Sequence, residues 1–335
     1  MNVPTVTHNG LSFINVNKPT AEQIAFLNKN FGFSMLNLED YLYKTQIPKI
    51  EVDEDYSLIV MDVPSIQQAA RPKAPANKNA SPNILNTRMP FPALPKSAKR
   101  KRINIGEVDF FIGKDYLVVL HDDRTPQIDE IFEMCKITSK HREDLMGKGA
   151  AYLFYKIADI LIDSSFGYVE DITSTIDYID RQLEEKSGAA LIEDISITRR
   201  NIVVFETMIK PLLPIFADLE KGKYQKLNGP MVDYWSNLLD HLQKIWERLE
   251  DNKELIAGIA SSNESILSNR SNELVKFLTV ITSISFPFVI VNNLYSMNVK
   301  GLPFANEPWI VWALFFVIFC GGVSIISYFK YKDWL

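Results

Sequence analysis

The feature that most constrains this chain is the stretch "WIVWALFFVIFCGGVSIISYF", Trp309 to Phe329, which carries no charged residue. At about 1.5 Å per residue, roughly 21 helical residues cross a ~30 Å hydrocarbon core. Trp309, Trp312 and Tyr328 stand near its ends, where amphipathic rings favour the headgroup boundary. A second apolar run, "FLTVITSISFPFVIVNNLY" from Phe277 to Tyr295, contains Thr279, Thr282, Ser283, Ser285, Asn292 and Asn293. Lipid does not accommodate all of these facing outward, so this helix lines protein or water. For any single Ser or Thr, a bond back to its own helix or to a neighbour is the simpler reading. The sequence therefore predicts two membrane-spanning helices.

Overall composition hides this division. The chain has 335 residues, 47% of them hydrophobic, yet polar residues dominate as far as Arg270 and the apolar runs follow. Cys135 and Cys320 make neither a disulfide framework nor a metal-binding spacing. The opening "MNVPTVTHNGLSF" lacks the basic and apolar segments of a secretory signal. Arg270 and Lys276 precede the first span, Lys330 and Lys332 follow the second, and the link between them has Lys300 offset by Glu307. The bias of basic residues toward the cytoplasm predicts both termini inside and the link outside.

Upstream of the first span, Asn228, Gly229 and Pro230 mark a helix start. No proline follows until Pro287, and Gly258 is the only glycine in that interval. A helix from there to about Leu294 is on the order of 100 Å long, beyond any ordinary globular helix. Along it Asn272, Val275, Leu278 or Thr279, Thr282, Phe286, Val289 and Asn293 recur at three- and four-residue intervals and form one stripe. Around a symmetry axis this stripe gives a polar entrance, a dry aliphatic and aromatic section, and a polar mouth. Ordinary coiled-coil packing explains Val275 and Leu278 as well, but Asn293 poorly. Two spans cannot enclose a pore alone, so several subunits are required.

Tyr155 to Glu185 and Ile192 to Lys221 read as two long amphipathic helices joined by a turn at Lys186 to Ala190, with Pro211 and Pro214 expected to kink the second. Nearer the N-terminus, Leu58–Val63 and Phe110–Leu120, the latter hinging at Gly113, read as strands, and Thr20–Lys29 and Gln127–Met134 as helices. The predicted fold class is α+β: a cytoplasmic α/β domain over 1–150, an antiparallel helical pair over 151–228, a stalk helix over 229–274, spans over 275–295 and 309–329, a link over 296–308 and a tail over 330–335. Residues 65–102, rich in Pro, Ala, Asn and Lys, form a basic insert expected to be disordered.

Its "KRKR", Lys99 to Arg102, reads chiefly as a solvated loop in a chain of net charge −5, and no nucleic-acid partner is expected. No Gly-rich phosphate loop is present. His8, His121, His141 and His241 are scattered, and "HDD" and "HRED" lack ligand or triad spacing. No enzyme activity and no cofactor are expected.

From Ser268 onward the chain resembles the CorA family of divalent-cation channels. "SNRSNELVKFLTVITSISFPF" is similar to that family's stalk-to-span segment, "YSMN" stands where the family carries Tyr-Gly-Met-Asn, and "YFKYKDWL" resembles its basic aromatic ending. The resemblance implies a homopentameric funnel in the cell membrane and passive influx of Mg²⁺, with Co²⁺ or Ni²⁺ as further cargo. It makes Asn298 the outer selectivity ring, holding metal through its hydration shell, with Ser296 in the motif and Met297 and Tyr295 as supports. Asn272, Val275, Leu278, Thr282, Phe286, Val289 and Asn293 become the pore lining. Mg²⁺ gives up water reluctantly, so neutral amide oxygens accepting from its hydration shell suit capture and release. Ser296 replaces the family glycine; if that position needs a positive φ, serine costs on the order of 1 kcal/mol or more. The same fold also admits proton-coupled Zn²⁺ transport in the manner of the ZntB branch, and a non-conducting membrane scaffold is the alternative of another class.

Overall fold

The computed structural model describes residues 3–43, 47–66, 102–185, 189–227, 230–297 and 307–331. Residues 67–101, most of the basic insert, lie outside the described residues, as do the turn residues 186–188 and Asn298. The described chain divides into two compact units, Met1–Ala260 and Ser261–Leu335.

The first unit opens with a hairpin, β1 (Thr5–His8) and β2 (Leu11–Asn17), in which His8 pairs with Leu11. Asn9 at φ 49° and Gly10 at φ 85° supply the two left-handed residues that a tight hairpin turn requires. Helix α1 (Ala21–Phe31) follows; Thr20 and Gln23 form a reciprocal capping box, and Gly32 at φ 69° ends it. After α2 (Met35–Tyr43) come β3 (Lys49–Val52) and β4 (Ser57–Ile66), then β5 (Ile103–Ile112) and β6 (Tyr116–His121). Gly113, in the β5–β6 turn, has no room for a side chain: a Cβ there would come within 2.3 Å of the Tyr116 ring.

The sheet order is β1-β2-β6-β5-β4-β3, antiparallel throughout except for the parallel β2–β6 pair. One face is covered by α1 and α2 through a core that includes Phe33, Tyr41, Leu58, Val60 and Phe111, with Phe33 stacked on Phe111 at 4.3 Å. On the other face Phe13 meets Phe132 of α3 (Pro126–Ile137) edge to face at 5.1 Å. Phe110 meets Phe154, in the long helix that begins at Ala150, at 4.9 Å. Apolar alternation along half-buried and fully buried strands thus makes a layered α/β unit.

Short α4 (Ser139–Met146) leads to α5 (Ala150–Glu185) and α6 (Ala189–Glu220). Pro211 and Pro214 lie inside α6, which continues across both. Helix α7 then runs from Val232 to Ser296, 65 residues. Its first turns pack through Trp235, fully buried, whose ring lies 5.8 Å from Phe154 and whose Nε1 donates to the Leu227 carbonyl at 3.2 Å. Helix α8 (Pro308–Tyr331) closes the described chain.

The expected strands and helices fall within β4, β5–β6, α1 and α3. The β1–β2 hairpin, β3, α2 and α4 are additions, and Ser65 and Ile66 belong to β4 rather than to the insert.

Candidate cation pathway in the second unit

Among the described residues, two helices are long and apolar enough to cross a membrane: α7 and the Trp312–Tyr331 part of α8. None of α7's most apolar window is buried among the described residues, unlike the mostly buried core helix of a soluble protein. Trp309, Trp312 and Tyr331 project from the ends of α8, and Trp309 Nε1 donates to Glu307 at 3.1 Å.

Within the apolar segment of α7, residues 277–296, most hydroxyls are satisfied locally. Thr279 Oγ1 donates to the Val275 carbonyl at 2.8 Å, Thr282 Oγ1 to those of Leu278 and Thr279 at 3.0 Å each, and Ser283 Oγ to that of Thr279 at 2.7 Å. Their protons are used, but each oxygen keeps lone pairs that accept from water.

Packing divides the helix surface. Over residues 271–297 the partly covered positions are Val280, Ile284, Phe288, Val291 and Tyr295, spaced four, four, three and four apart. Phe288 stacks on Phe315 of α8 at 5.9 Å and 17°. Gly322 of α8 approaches so closely that a Cβ on it would lie 3.2 Å from Ile284. At about 100° per residue, the stripe of Asn272, Val275, Leu278, Thr282, Phe286, Val289 and Asn293 centres roughly 180° from that covered face. All seven are exposed, Phe286 by 65%. The expected lining residues therefore share one open face, turned away from α8, the helix that packs on the segment among the described residues. The arrangement offers a polar foot, an apolar middle and a carboxamide top.

Of the motif residues, Tyr295 lies on the α8-covered face, Ser296 ends the helix and Met297 follows it with its N–H donating to the Asn293 carbonyl at 3.2 Å. Ser296 Oγ donates to the Asn292 carbonyl at 2.7 Å. The described residues with positive φ other than glycine are Asn9 and Lys18, so Ser296 carries no left-handed strain; its hydroxyl completes the last turn instead. Asn298 lies outside the described residues.

In the first unit, His121 is a buried strand-end residue: Nε2 meets Asn15 Oδ1 at 2.8 Å and Nδ1 meets the Asp122 carbonyl at 3.1 Å. Burial lowers its pKa, opposed by the charges of Asp129 and Asp122. Burial pushes the Cys135 thiol up to about 11, which leaves it protonated and unreactive. Asp159 and Asp163 of α5 and His241 of α7 gather with their ligand atoms within 4.8 Å of one another, and Asp163 Oδ1 contacts His241 Nδ1 at 3.0 Å. Burial, then the charge of Asp163, raises the Asp159 carboxyl above its ordinary value. Sequence reading missed this grouping; its one local signal is the pair of aspartates one helical turn apart on α5, and the histidine arrives only through tertiary packing.

An α/β unit, a helix of 65 residues that carries an apolar segment, and a second apolar helix with aromatic ends are the parts of a membrane protein. The sequence pattern of the family described as CorA-like Mg²⁺ transporter protein matches residues 8–331, and the chain belongs to that family. It is 25% identical over 309 residues to the cobalt/magnesium transport protein CorA of Thermotoga maritima, covering 91% of this chain and 78% of that protein. The complete structure of the CorA magnesium transporter from Methanocaldococcus jannaschii superposes with a TM-score of 0.71 at 20% identity, over 96% of this chain and 92% of that one. The full-length CmaX protein gives 0.67 at 17% identity, over 96% and 88%.

Proposed function

We propose that this protein is a passive pathway for Mg²⁺, and secondarily Co²⁺ or Ni²⁺, formed by five copies around an axis. Both termini lie in the cytoplasm, and "YSMN" faces outward. The observation that carries this reading is the exposed stripe on α7, opposite the face that α8 covers. In a ring, α8 stands outside and the stripe from Asn272 to Asn293 lines the axis. Phe286 and Val289 form the narrow apolar section, which gates by dewetting.

Above the stripe, Asn298 oxygens accept hydrogen bonds from the water shell of the ion, supported by Tyr295, Ser296 and Met297. No energy source beyond the membrane potential is needed: for a divalent ion it supplies roughly 4.6 kcal/mol per 100 mV. The likeness to a cobalt/magnesium transport protein favours the same cargo.

The deciding experiment is ion flux into liposomes carrying the parent or Asn298→Ala, with Mg²⁺ or Zn²⁺ outside and with or without a pH gradient. The expected outcome is Mg²⁺ uptake that is independent of the gradient and lost in Asn298→Ala, while the oligomer on size exclusion is unchanged. Faster Zn²⁺ uptake that requires the gradient replaces passive Mg²⁺ entry with proton-coupled zinc transport; undiminished uptake in Asn298→Ala removes the filter assignment.

A further inference from the structure

The outer end of α7's membrane segment carries two adjacent carboxamides, Asn292 and Asn293, both exposed. Neither has a hydrogen-bond partner among the described residues, whereas the neighbouring Ser296 hydroxyl is already committed to the Asn292 carbonyl. Successive helical residues point about 100° apart, so the two cannot serve one face. Asn293 continues the open stripe. Asn292 falls on the flank between that stripe and the α8-covered face, in line with Ile281 and Ser285.

An amide unpaired at membrane depth is costly, and α8 sits on another face. No described residue of its own unit hydrogen-bonds the Asn292 side chain. In a closed ring of identical copies, each helix sets one flank against the opposite flank of the next. At the height of Asn292 that opposite flank offers Ile290 and Leu294, both exposed and apolar, and at its edge the adjacent copy's Asn293. The amide there is the side chain that satisfies another amide.

We propose that Asn292 of each copy hydrogen-bonds the Asn293 carboxamide of the adjacent copy, closing a belt of paired amides beneath the outer filter. Asn292 Oδ1 accepts an N–H of the adjacent Asn293, which turns that residue's own Oδ1 toward the axis. A hydrated cation is held by acceptors, so an Asn293 free to present its NH₂ group inward opposes the ion. Asn292 is thus a positioning residue, and Asn293 the group that meets the ion's water shell. The inference rests on the ring-shaped pore reading above.

The test uses the full-length protein with Cys135→Ser and Cys320→Ser, to which Asn292→Cys and Asn293→Cys are added singly and together. Two neighbouring helical cysteines of one chain diverge too far to join each other, so an added oxidant such as copper–phenanthroline under air links copies. The double variant is expected to give a ladder on a non-reducing gel rising to the closed ring, and the single variants nothing above a dimer. In the otherwise native protein, Asn292→Ala is expected to reduce Mg²⁺ uptake on the order of tenfold, and adding Asn293→Ala to lower it little further, as coupled groups behave. A double-cysteine variant without bands above dimer, or flux losses that multiply, overturns the belt. If that happens while Asn298→Ala still abolishes uptake, the pore reading stands alone; if Asn298→Ala leaves uptake intact, the pore reading itself has failed.

Discussion

Asp62 stands opposite Glu107 in the β4–β5 ladder, and both are buried. Burial raises the Asp62 carboxyl from 3.8 to about 6, against the attraction of Arg124. Because the folded value lies above the unfolded one, the neutral form is favoured on folding: the contribution is fully favourable below 3.8 and is lost as pH rises through about 6. Asp62→Asn, neutral at every pH, is therefore expected to stabilise the first unit by about 2–3 kcal/mol at pH 7.5, with the gain fading toward pH 4. Thermal midpoints of the detergent-solubilised protein measured across that range check it; an equal shift at both ends contradicts the burial argument. At this scale the candidate site was partly legible. The stripe from Asn272 to Asn293 follows from spacing alone, but spacing assigns no partner to Asn292, and the Ser296 question needed the backbone: its hydroxyl closes a helical turn that sequence leaves open.

Helices α7 and α8 meet through small and flat surfaces, Gly322 beneath Ile284 and Phe315 against Phe288. Lipid tails are as apolar as these side chains, so close approach and dispersion, not burial from water, hold such a pair together. Gly322→Val pushes into Ile284 and is expected to lower both the thermal midpoint and Mg²⁺ uptake, and Ile284→Ala in the same chain to restore part of each. Loss without any restoration indicates that the pair does not meet there. The long helices were readable because apolar positions three and four apart persist through them. The N-terminal hairpin carried a clear sign, Asn9-Gly10 between alternating residues, that the sequence reading passed over. β3 is only four residues long with two exposed positions, too short for periodicity to register.

For the whole molecule, sequence order conveyed the class, since polar chain precedes two apolar runs, but it did not convey which strands adjoin. β4 and β5 neighbour each other across the insert, and β2 finds β6 in parallel. Such pairings depend on shape complementarity accumulated over the entire unit. The insert joins adjacent antiparallel strands at their shared end, where Ile66 pairs with Ile103. Loop closure costs little extra with length, about 0.6 kcal/mol per doubling. Deleting residues 69–102 and bridging with a short glycine-serine link is therefore expected to leave assembly and Mg²⁺ flux at the parent level. Loss of flux from a correctly assembled deletion protein gives the insert a direct part in transport.

The parallel β2–β6 pair also dictates timing during synthesis. Ser12 takes Tyr116 as its partner, so β2 waits for about a hundred further residues, on the order of 5–20 s at typical elongation rates. Throughout that interval the β1–β2 hairpin has one edge unclaimed, a strand edge made early and completed only when β6 arrives.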